Sequence, residues 1–397
     1  MHRREFVKLT GAAGLAAAGG YAWFHAEGAQ LRAGDDPANG DPAYEAWSQW
    51  NNDAGGRPFS LVRAAVVASS PHNTQPWRFR VGEDFVELYL DARRSVAGLD
   101  PYLREAHIGM GCGLENLVLS AAAHGLAARL TLPEGPLDPP GPELRLVARV
   151  DLTPGERKVS ELYEAIPNRH TNRSVYDRSR KLPAGFAQEL LSTCIAEDTR
   201  VFLFEDSAAQ EALVRISSAA NLALYSDPKV EAGSEQWVRW RAADAERLKD
   251  GLTVENFGLP PVTAAAVSLM PMWMLKRASA PKQRAQMYEG QMRSARLMGV
   301  IAVRDRLDQR QSLQAGRVWQ RAHLLATARG VAARPCNEAI EGIDHERSLG
   351  LRAECEAALG QVLGDATWQP TFLFLMGYPT LRSHRSPRRP AEMVARG

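Results

Sequence analysis

The sequence predicts an α+β chain built of two tandem halves, and three observations predict it. First, strand patterns stand in both halves. Trp77–Val81 and Phe85–Asp91 read as a hairpin around Gly82-Glu83-Asp84, and Thr371–Met376 is apolar enough to be a strand buried on both faces. Second, long helical patterns separate the strands. Third, one helical stretch recurs: with Gly111 set against Gly316, Leu119 meets Leu324, Ala121 meets Ala326, Ala123 meets Ala328 and Gly125 meets Gly330. Ala127-Ala128-Arg129 then meets Ala332-Ala333-Arg334 without a gap. Two small-residue helices, each ending at a glycine suited to a C-cap, suggest a duplicated unit.

A length of 397 residues suits about two domains, and 45% hydrophobic with 24% charged residues is the composition of a globular protein with a sizeable core. A net charge of +2 argues neither for nor against an anionic polymer. Cys112, Cys194, Cys336 and Cys355 are widely spaced, with no CxxC or Cys/His ligand spacing. Neither a metal site nor a disulfide framework is indicated, and buried thiols are expected.

The N-terminal segment 1–30 reads as an address. His2-Arg3-Arg4-Glu5-Phe6-Val7-Lys8 precedes a weakly apolar run, Leu9 to Ala18. Paired arginines, a following Phe and Lys, and a Gly/Ala-rich run look like a twin-arginine signal. Export to the periplasm or cell envelope is the expectation. The run is too short for a transmembrane helix, so no integral span is expected in the mature chain. The small residues near Ala26–Ala29 do not form a clean A-x-A cleavage site.

The N-terminal half is placed at 31–156. Asp35 to Gly56 is a linker running into a helix, with Trp47 and Trp50 at i, i+3 spacing. Phe59 to Ala68 is an apolar helix leading into Ser69–Phe79, a polar loop with two prolines that fix φ and remove two backbone donors. As composition alone that loop is an ordinary turn. Arg104 to Leu126 is a long helix. Its Gly109-Met110-Gly111-Cys112-Gly113 lacks the spacing and the preceding strand of a dinucleotide fingerprint, and fits close helix–helix approach instead. A strand at Leu144–Val150 and the turn Thr153-Pro154-Gly155 end the half.

The C-terminal half, 157–397, opens on a helix, Val159–Ile166, and then Pro167-Asn168-Arg169-His170-Thr171-Asn172-Arg173-Ser174. This compact set of cations and hydroxyls suits a phosphomonoester better than a long polyanion, so no nucleic-acid partner is expected. Phe186–Ile195 and Ser207–Tyr225 read as helices and Arg200–Glu205 as a strand. Residues 228–295 break the correspondence with the first half. They are either a Met/Trp-rich lid over a pocket or an extra packed helical pair. A helix at Leu349–Leu363, the buried strand and a basic tail, Ser386-Pro387-Arg388-Arg389-Pro390, complete the chain. No G-x-S-x-G elbow and no acid/base dyad stands out, so no catalytic side chain is assigned.

Ser70-Pro71-His72-Asn73-Thr74-Gln75-Pro76-Trp77-Arg78-Phe79 resembles the flavin loop of the nitroreductase family, roughly S-x-x-N-x-Q-P-W-x-F. Arg169-His170-Thr171-x-Arg173 resembles the family's phosphate motif, and the tail with Arg388 and Arg389 its C-terminal basic motif. The arrangement is similar to tandem, single-chain members of the Acg type. The resemblance implies an α+β sandwich in which the two halves form an internal pseudo-dimer within a monomer. It implies FMN held by Ser70, Pro71, His72 and Asn73 from one half and by Arg169, His170, Thr171, Arg173 and Arg388 or Arg389 from the other. It further implies electrons passing from NAD(P)H through the flavin to a nitro, quinone or similar small acceptor, or, alternatively, a capped flavin with little turnover. The first half has no R-H-T-x-R equivalent and the second no N-x-Q-P-W, so one FMN per chain is expected.

Overall fold

The fold is described from a computed structural model, which covers residues 40–137, 141–271, 274 and 281–396. The segment 1–30, read from sequence as a twin-arginine signal, lies outside the described residues.

Alternation in the hairpin puts one face in the core. β1 (Trp77–Val81) and β2 (Phe85–Asp91) pair antiparallel, Phe79 opposite Leu88. Val86, Leu88 and Leu90 are buried on the aliphatic face. The following helix, Arg104–Ala123, is shorter than the sequence pattern, because Gly125 takes a left-handed φ of +73° and turns the chain back. Leu126, read from sequence as the end of that helix, instead opens β3 (Leu126–Thr131). It pairs with β4 (Leu144–Pro154), which runs four residues beyond the predicted end. The turn after β4 therefore begins at Gly155, whose N–H donates to the Gly125 carbonyl at 2.9 Å.

The second half repeats this order. β5 (Thr199–Phe204) is followed by the helix Ser207–Leu224. The insertion comes next. It holds the helix Pro228–Glu235, a short parallel pair of β6 (Val238–Arg239) and β7 (Leu252–Thr253), and the helices Pro261–Leu269 and Pro281–Arg293. β8 (Leu297–Val303), which sequence reading missed, is apolar throughout and buried at every position. The helix Gln309–Ala328, β9 (Ala332–Pro335), the helix Glu338–Ser348, the helix Glu354–Leu363 and β10 (Gln369–Gly377) follow. The helix expected at Leu349–Leu363 starts later, because Gly350 sits at φ +66° in the turn between two helices. Phe186–Ile195 likewise stops at Leu191.

The two sheets share one topology. The first has the order β11–β1–β2–β4–β3 and the second β5–β8–β10–β9, where β11 is Ala395–Arg396. In each, the long helix leaves the second strand of the chain order and returns into the third. β11 is the difference: the end of the chain crosses to the first sheet and pairs parallel with β1 at Phe79.

The long helices begin and end at positions paired by the Gly111–Gly316 alignment, Arg104 with Gln309 and Ala123 with Ala328. They cross at those two glycines. A Cβ on Gly111 would collide with the Leu313 carbonyl, and one on Gly316 with the Ile108 carbonyl. The contact is reciprocal, as in a two-fold interface where residue i meets j and j meets i. Polar groups around the crossing are matched. Gln320 donates to Asn116 Oδ1 at 2.8 Å, and Arg317 and Arg321 both reach the fully buried Glu115, at 2.8 and 2.7 Å. Trp319 stacks obliquely on Phe372 and Phe374, linking the second helix to β10.

Trp47 and Trp50 both dock on this body, the indole N–H of Trp47 donating to the Ser386 carbonyl at 2.9 Å. All four cysteines are free; Cys112 and Cys336 are buried and Cys194 and Cys355 half-buried. Among the described residues no helix is long and apolar enough to cross a membrane.

Gly316→Ala is expected to cost at least about 1–3 kcal/mol, the scale of overpacking a tight core, because backbone rather than a flexible side chain must move. Gly290→Ala, in a helix with open space around the missing Cβ, is expected to be neutral or to stabilise by about 0.5–1 kcal/mol. Chemical-denaturation midpoints of the two variants check the contrast.

Candidate functional site

The loop before β1 is under local backbone strain. His72, Asn73 and Gln75 have φ of 44°, 55° and 52°, a region that costs a non-glycine residue roughly 1–2 kcal/mol each. The surroundings hold it there. Asn73 Nδ2 donates to the carbonyls of Gly251 (2.9 Å) and Pro387 (2.8 Å), and the Asn73 carbonyl accepts from Gly251 N–H. Gln75 Nε2 donates to Lys249 O at 2.8 Å, and its Oε1 accepts from Arg389 N–H at 2.9 Å. Arg388 reaches the Asn73 side-chain oxygen and the Ala68 carbonyl. Beneath, Asp250 is gripped by Arg239 and Arg94, and Arg94 also donates to Thr74 O at 2.7 Å. The loop is thus fixed by β7's approach and by the basic tail, both from the second half.

The second cluster is positioned by an ordinary helix start and stop. Ser160 caps Glu161–Ala165 by accepting from Tyr163 N–H at 3.2 Å, and a 3₁₀ turn at Ile166–Asn168 delivers Arg169. Beyond it, Thr171 bridges to Ala333 and Gln291 donates to Arg173 O at 2.8 Å. The Arg173 backbone packs against Gly258, where φ is +72° and no Cβ could fit.

A cavity of about 740 Å³ opens between the two clusters. Ser70, Pro71 and His72 line one wall, and Thr171 and Arg173 another. The start of the first long helix contributes Glu105, Gly109 and Cys112, with Gly109 close enough to Pro71 that a Cβ would sit 3.0 Å from its ring. The insertion supplies Ser234, Trp240, Phe257, Leu259, Val267, Arg284 and Met287, so it walls the cavity as well as packing its own helices. Trp319, Arg334, Glu338, Glu341 and Phe372 close the far side. Sequence reading missed these, though the repeat had already marked the first long helix.

Asn73, Arg169, His170, Arg388 and Arg389 do not line the cavity. Asn73, Arg169, Arg388 and Arg389 are at most 4% exposed and lie in the wall behind it. Arg169 donates to Val67 O at 3.2 Å and lies 3.4 Å from His323 Nδ1; His170 Nδ1 is 2.9 Å from Asn168 O. A more open groove of about 780 Å³, lined by Trp50, Arg57, His124 and Tyr163 among others, contains none of the residues expected from sequence. Among the described residues no group of three His, Cys, Asp or Glu could hold a metal ion.

The electrostatics are unbalanced around the first wall. Arg169, Arg173, Arg388 and Arg389 have no ion-pair partner among the described residues, whereas Arg104, Arg306, Arg317 and Arg321 all do. The Nε atoms of Arg169, Arg388 and Arg389 are buried without a hydrogen-bond partner. Burial pushes Arg169 and Arg173 down to about 10, and burial together with Arg169 pushes Arg388 well below its usual range. Buried cations left like this are normally compensated by an anion. Burial, Arg173 and Arg284 also hold His72 down to about 4, so its ring is neutral at pH 7 and meets Ser234 Oγ at 2.9 Å. On the far side burial lifts Glu105 to about 7 and Glu341 well above the carboxylate range.

No protein-family signature matches the chain. Part of it is similar to curated proteins of Mycobacterium tuberculosis with nitroreductase-like names. The protein provisionally named NAD(P)H nitroreductase acg is 31% identical over 170 residues, 42% of this chain and 49% of that protein. The one provisionally named NAD(P)H nitroreductase Rv3131 is 33% identical over 117 residues, 30% of this chain and 33% of that protein. The chain thus spans one third to one half of the length of these relatives. Among solved structures, an FMN-bound nitroreductase of Desulfitobacterium hafniense is 14% identical, covering 59% of this chain and 95% of its own, with a TM-score of 0.35. NfnB of Mycobacterium smegmatis, in complex with NADPH, is 13% identical over 60% of this chain and 97% of its own, with a TM-score of 0.35.

Because the His72 pKa is depressed from 6.5 to about 4 on folding, the unfolded chain binds the extra proton between those values. The contribution of neutral His72 is present in full above pH 6.5 and is lost as pH falls toward 4. The stability advantage of the wild type over His72→Asn is therefore expected to narrow from pH 7 to pH 4.5 in urea titrations. An advantage that is constant or grows on acidification would contradict the assignment.

Proposed function

We propose that this chain is an FMN-binding oxidoreductase of nitroreductase type, with one FMN per chain in the cavity between its two halves. The observation that carries the reading is the set of buried arginines without anionic partners beside a cavity walled by both Ser70-Pro71-His72 and Thr171/Arg173. An FMN phosphate is a compact dianion, and planar guanidinium groups and a short hydroxyl are the donors that suit it. Arg173 and Thr171 would meet it directly. Arg169 and Arg388 add positive potential from the wall behind.

When bound, the flavin supplies two-electron transfer between a nicotinamide and an acceptor. The chain's own residues position and enclose it. The strained loop, over-determined by Asn73 and Gln75, fixes the height of Ser70 and Pro71 at the cavity wall. Neutral His72 presents a ring nitrogen rather than a charge. Trp240, Phe257 and Met287 exclude water, and their coverage is what keeps a second reading open, a flavin held with little turnover. One site per chain is supported by the helix crossing. On the repeat alignment the partners of Glu105 and Cys112 are Arg310 and Arg317, which are committed to Asp198 and Glu115. Gly135–Leu137 also hydrogen-bonds across the start of the second long helix, through Gln309 and Leu307. The reciprocal glycine contact and matched sheet orders support the halves acting as an internal pseudo-dimer.

Purified protein mixed with FMN is expected to retain the yellow chromophore, which NADH or NADPH bleaches anaerobically. Arg173→Ala is expected to weaken FMN binding by at least about tenfold, the loss of one charge-assisted contact. Retained colour without bleaching by either nicotinamide would favour the held-flavin reading. Failure to take up FMN would overturn both.

A further inference from the structure

The far wall of the cavity carries carboxyl groups that the FMN reading leaves unused. Glu105 lies in the first turn of one helix, and Glu338 and Glu341 lie one turn apart at the start of another. All three line the cavity. Acids in a first turn complement the helix dipole, but that role is satisfied in water and does not call for burial. Glu341 is only 6% exposed, and its carboxyl has no hydrogen bond or ion pair among the described residues. One oxygen of Glu338, Oε2, is likewise buried without a partner. Glu105 accepts from Asn337 Nδ2 at 2.8 Å and is paired with Arg104 Nη2 at 3.5 Å, so among the described residues Glu338 and Glu341 are the carboxyls of this wall without an ion pair.

The neighbouring cations are already engaged. Arg104 donates to Asp344 Oδ2 at 2.8 Å and to the Thr371 carbonyl, and Arg334 donates to Gln291 Oε1 at 2.7 Å. Arg173 and Arg284 line the same cavity, but neither pairs with Glu338 or Glu341, and burying these carboxyls unpaired is costly unless a ligand supplies a cation. Burial accordingly keeps Glu105, Glu338 and Glu341 all raised. Metal ions are disfavoured, since no metal-holding cluster exists among the described residues. Trp319 and Phe372, with ring centroids 4.8 Å apart, face the same cavity and offer π surfaces to an organic cation.

We propose that Glu105, Glu338 and Glu341 form a recognition subsite for a protonated amine, carried on a small aromatic molecule that shares the cavity. Taking that molecule to be the electron acceptor rests on the FMN reading above; the amine subsite itself does not.

The test uses benzylamine and benzyl alcohol, which share a ring and differ in the cationic group, titrated calorimetrically into the full-length protein at pH 8. FMN content is read separately from the visible absorbance of the same sample. Benzylamine is expected to bind at least about tenfold more tightly than benzyl alcohol, the scale of one charge-assisted contact. Glu341→Gln, nearly isosteric, is expected to remove most of that preference while leaving the benzyl alcohol affinity unchanged. Equal affinities in the wild type, no binding of either probe, or a preference that survives in both Glu341→Gln and Glu105→Gln would overturn the subsite. If a variant fails to fold, the wild-type ratio decides. Amine preference without FMN uptake would retain the subsite and remove the oxidoreductase reading; FMN uptake without amine preference would do the reverse.

Discussion

No side chain fits where the two long helices cross. Gly111 and Gly316 each lie against a carbonyl of the other helix, and this backbone contact sets the spacing of everything built on it. It brings Glu105, Gly109 and Cys112 to one edge of the cavity and Trp319 to another. It also lets Gly109 approach Pro71, so the strained loop rests on the same seam. Larger residues would push the halves apart and open the wall that Thr171 and Arg173 face. The buried matches around the crossing, Gln320 with Asn116 and Arg317 and Arg321 with Glu115, penalise any sliding of one helix along the other, because each would leave a desolvated polar group unpaired.

The site combines two costs that an empty interior would have no reason to carry. Three residues of the loop, His72, Asn73 and Gln75, are held at positive φ, and several arginines are buried with no carboxylate opposite. Either alone is compatible with a structural role. Of these residues only His72 and Arg173 line the cavity, on different walls, with the others packed behind, an arrangement that the proposed FMN phosphate would answer. The tail and the β7 segment serve the loop rather than the ligand: Arg388 and Arg389 reach Asn73 and Gln75. The basic tail is thus a brace, with its positive potential as a secondary contribution.

Much of this was legible in the sequence. The repeat was legible because Gly111 and Gly316 both stand where no Cβ fits, so the same residue type recurs at matched places in the two long helices. The hairpin was legible because Val86, Leu88 and Leu90 alternate with polar or half-buried neighbours. β8 was not, since Leu297–Val303 is apolar at every position and has no period to distinguish strand from buried helix. The carboxyl wall was hidden for another reason. Glu105, Glu338 and Glu341 look like ordinary acids of a helix first turn, and only the tertiary packing shows that they face inward. The loop and the R-H-T-x-R cluster were legible as motifs, but motif reading assigned every residue to the ligand, whereas Asn73, Arg169, Arg388 and Arg389 stand behind the wall.

The central claim is a single flavin site made jointly by both halves of one chain. The most direct measurement is the FMN released per chain on denaturation, taken together with the molecular mass of the loaded protein in solution. One FMN per monomeric chain is the predicted result. Two per chain, or FMN retained only when two chains associate, would contradict it.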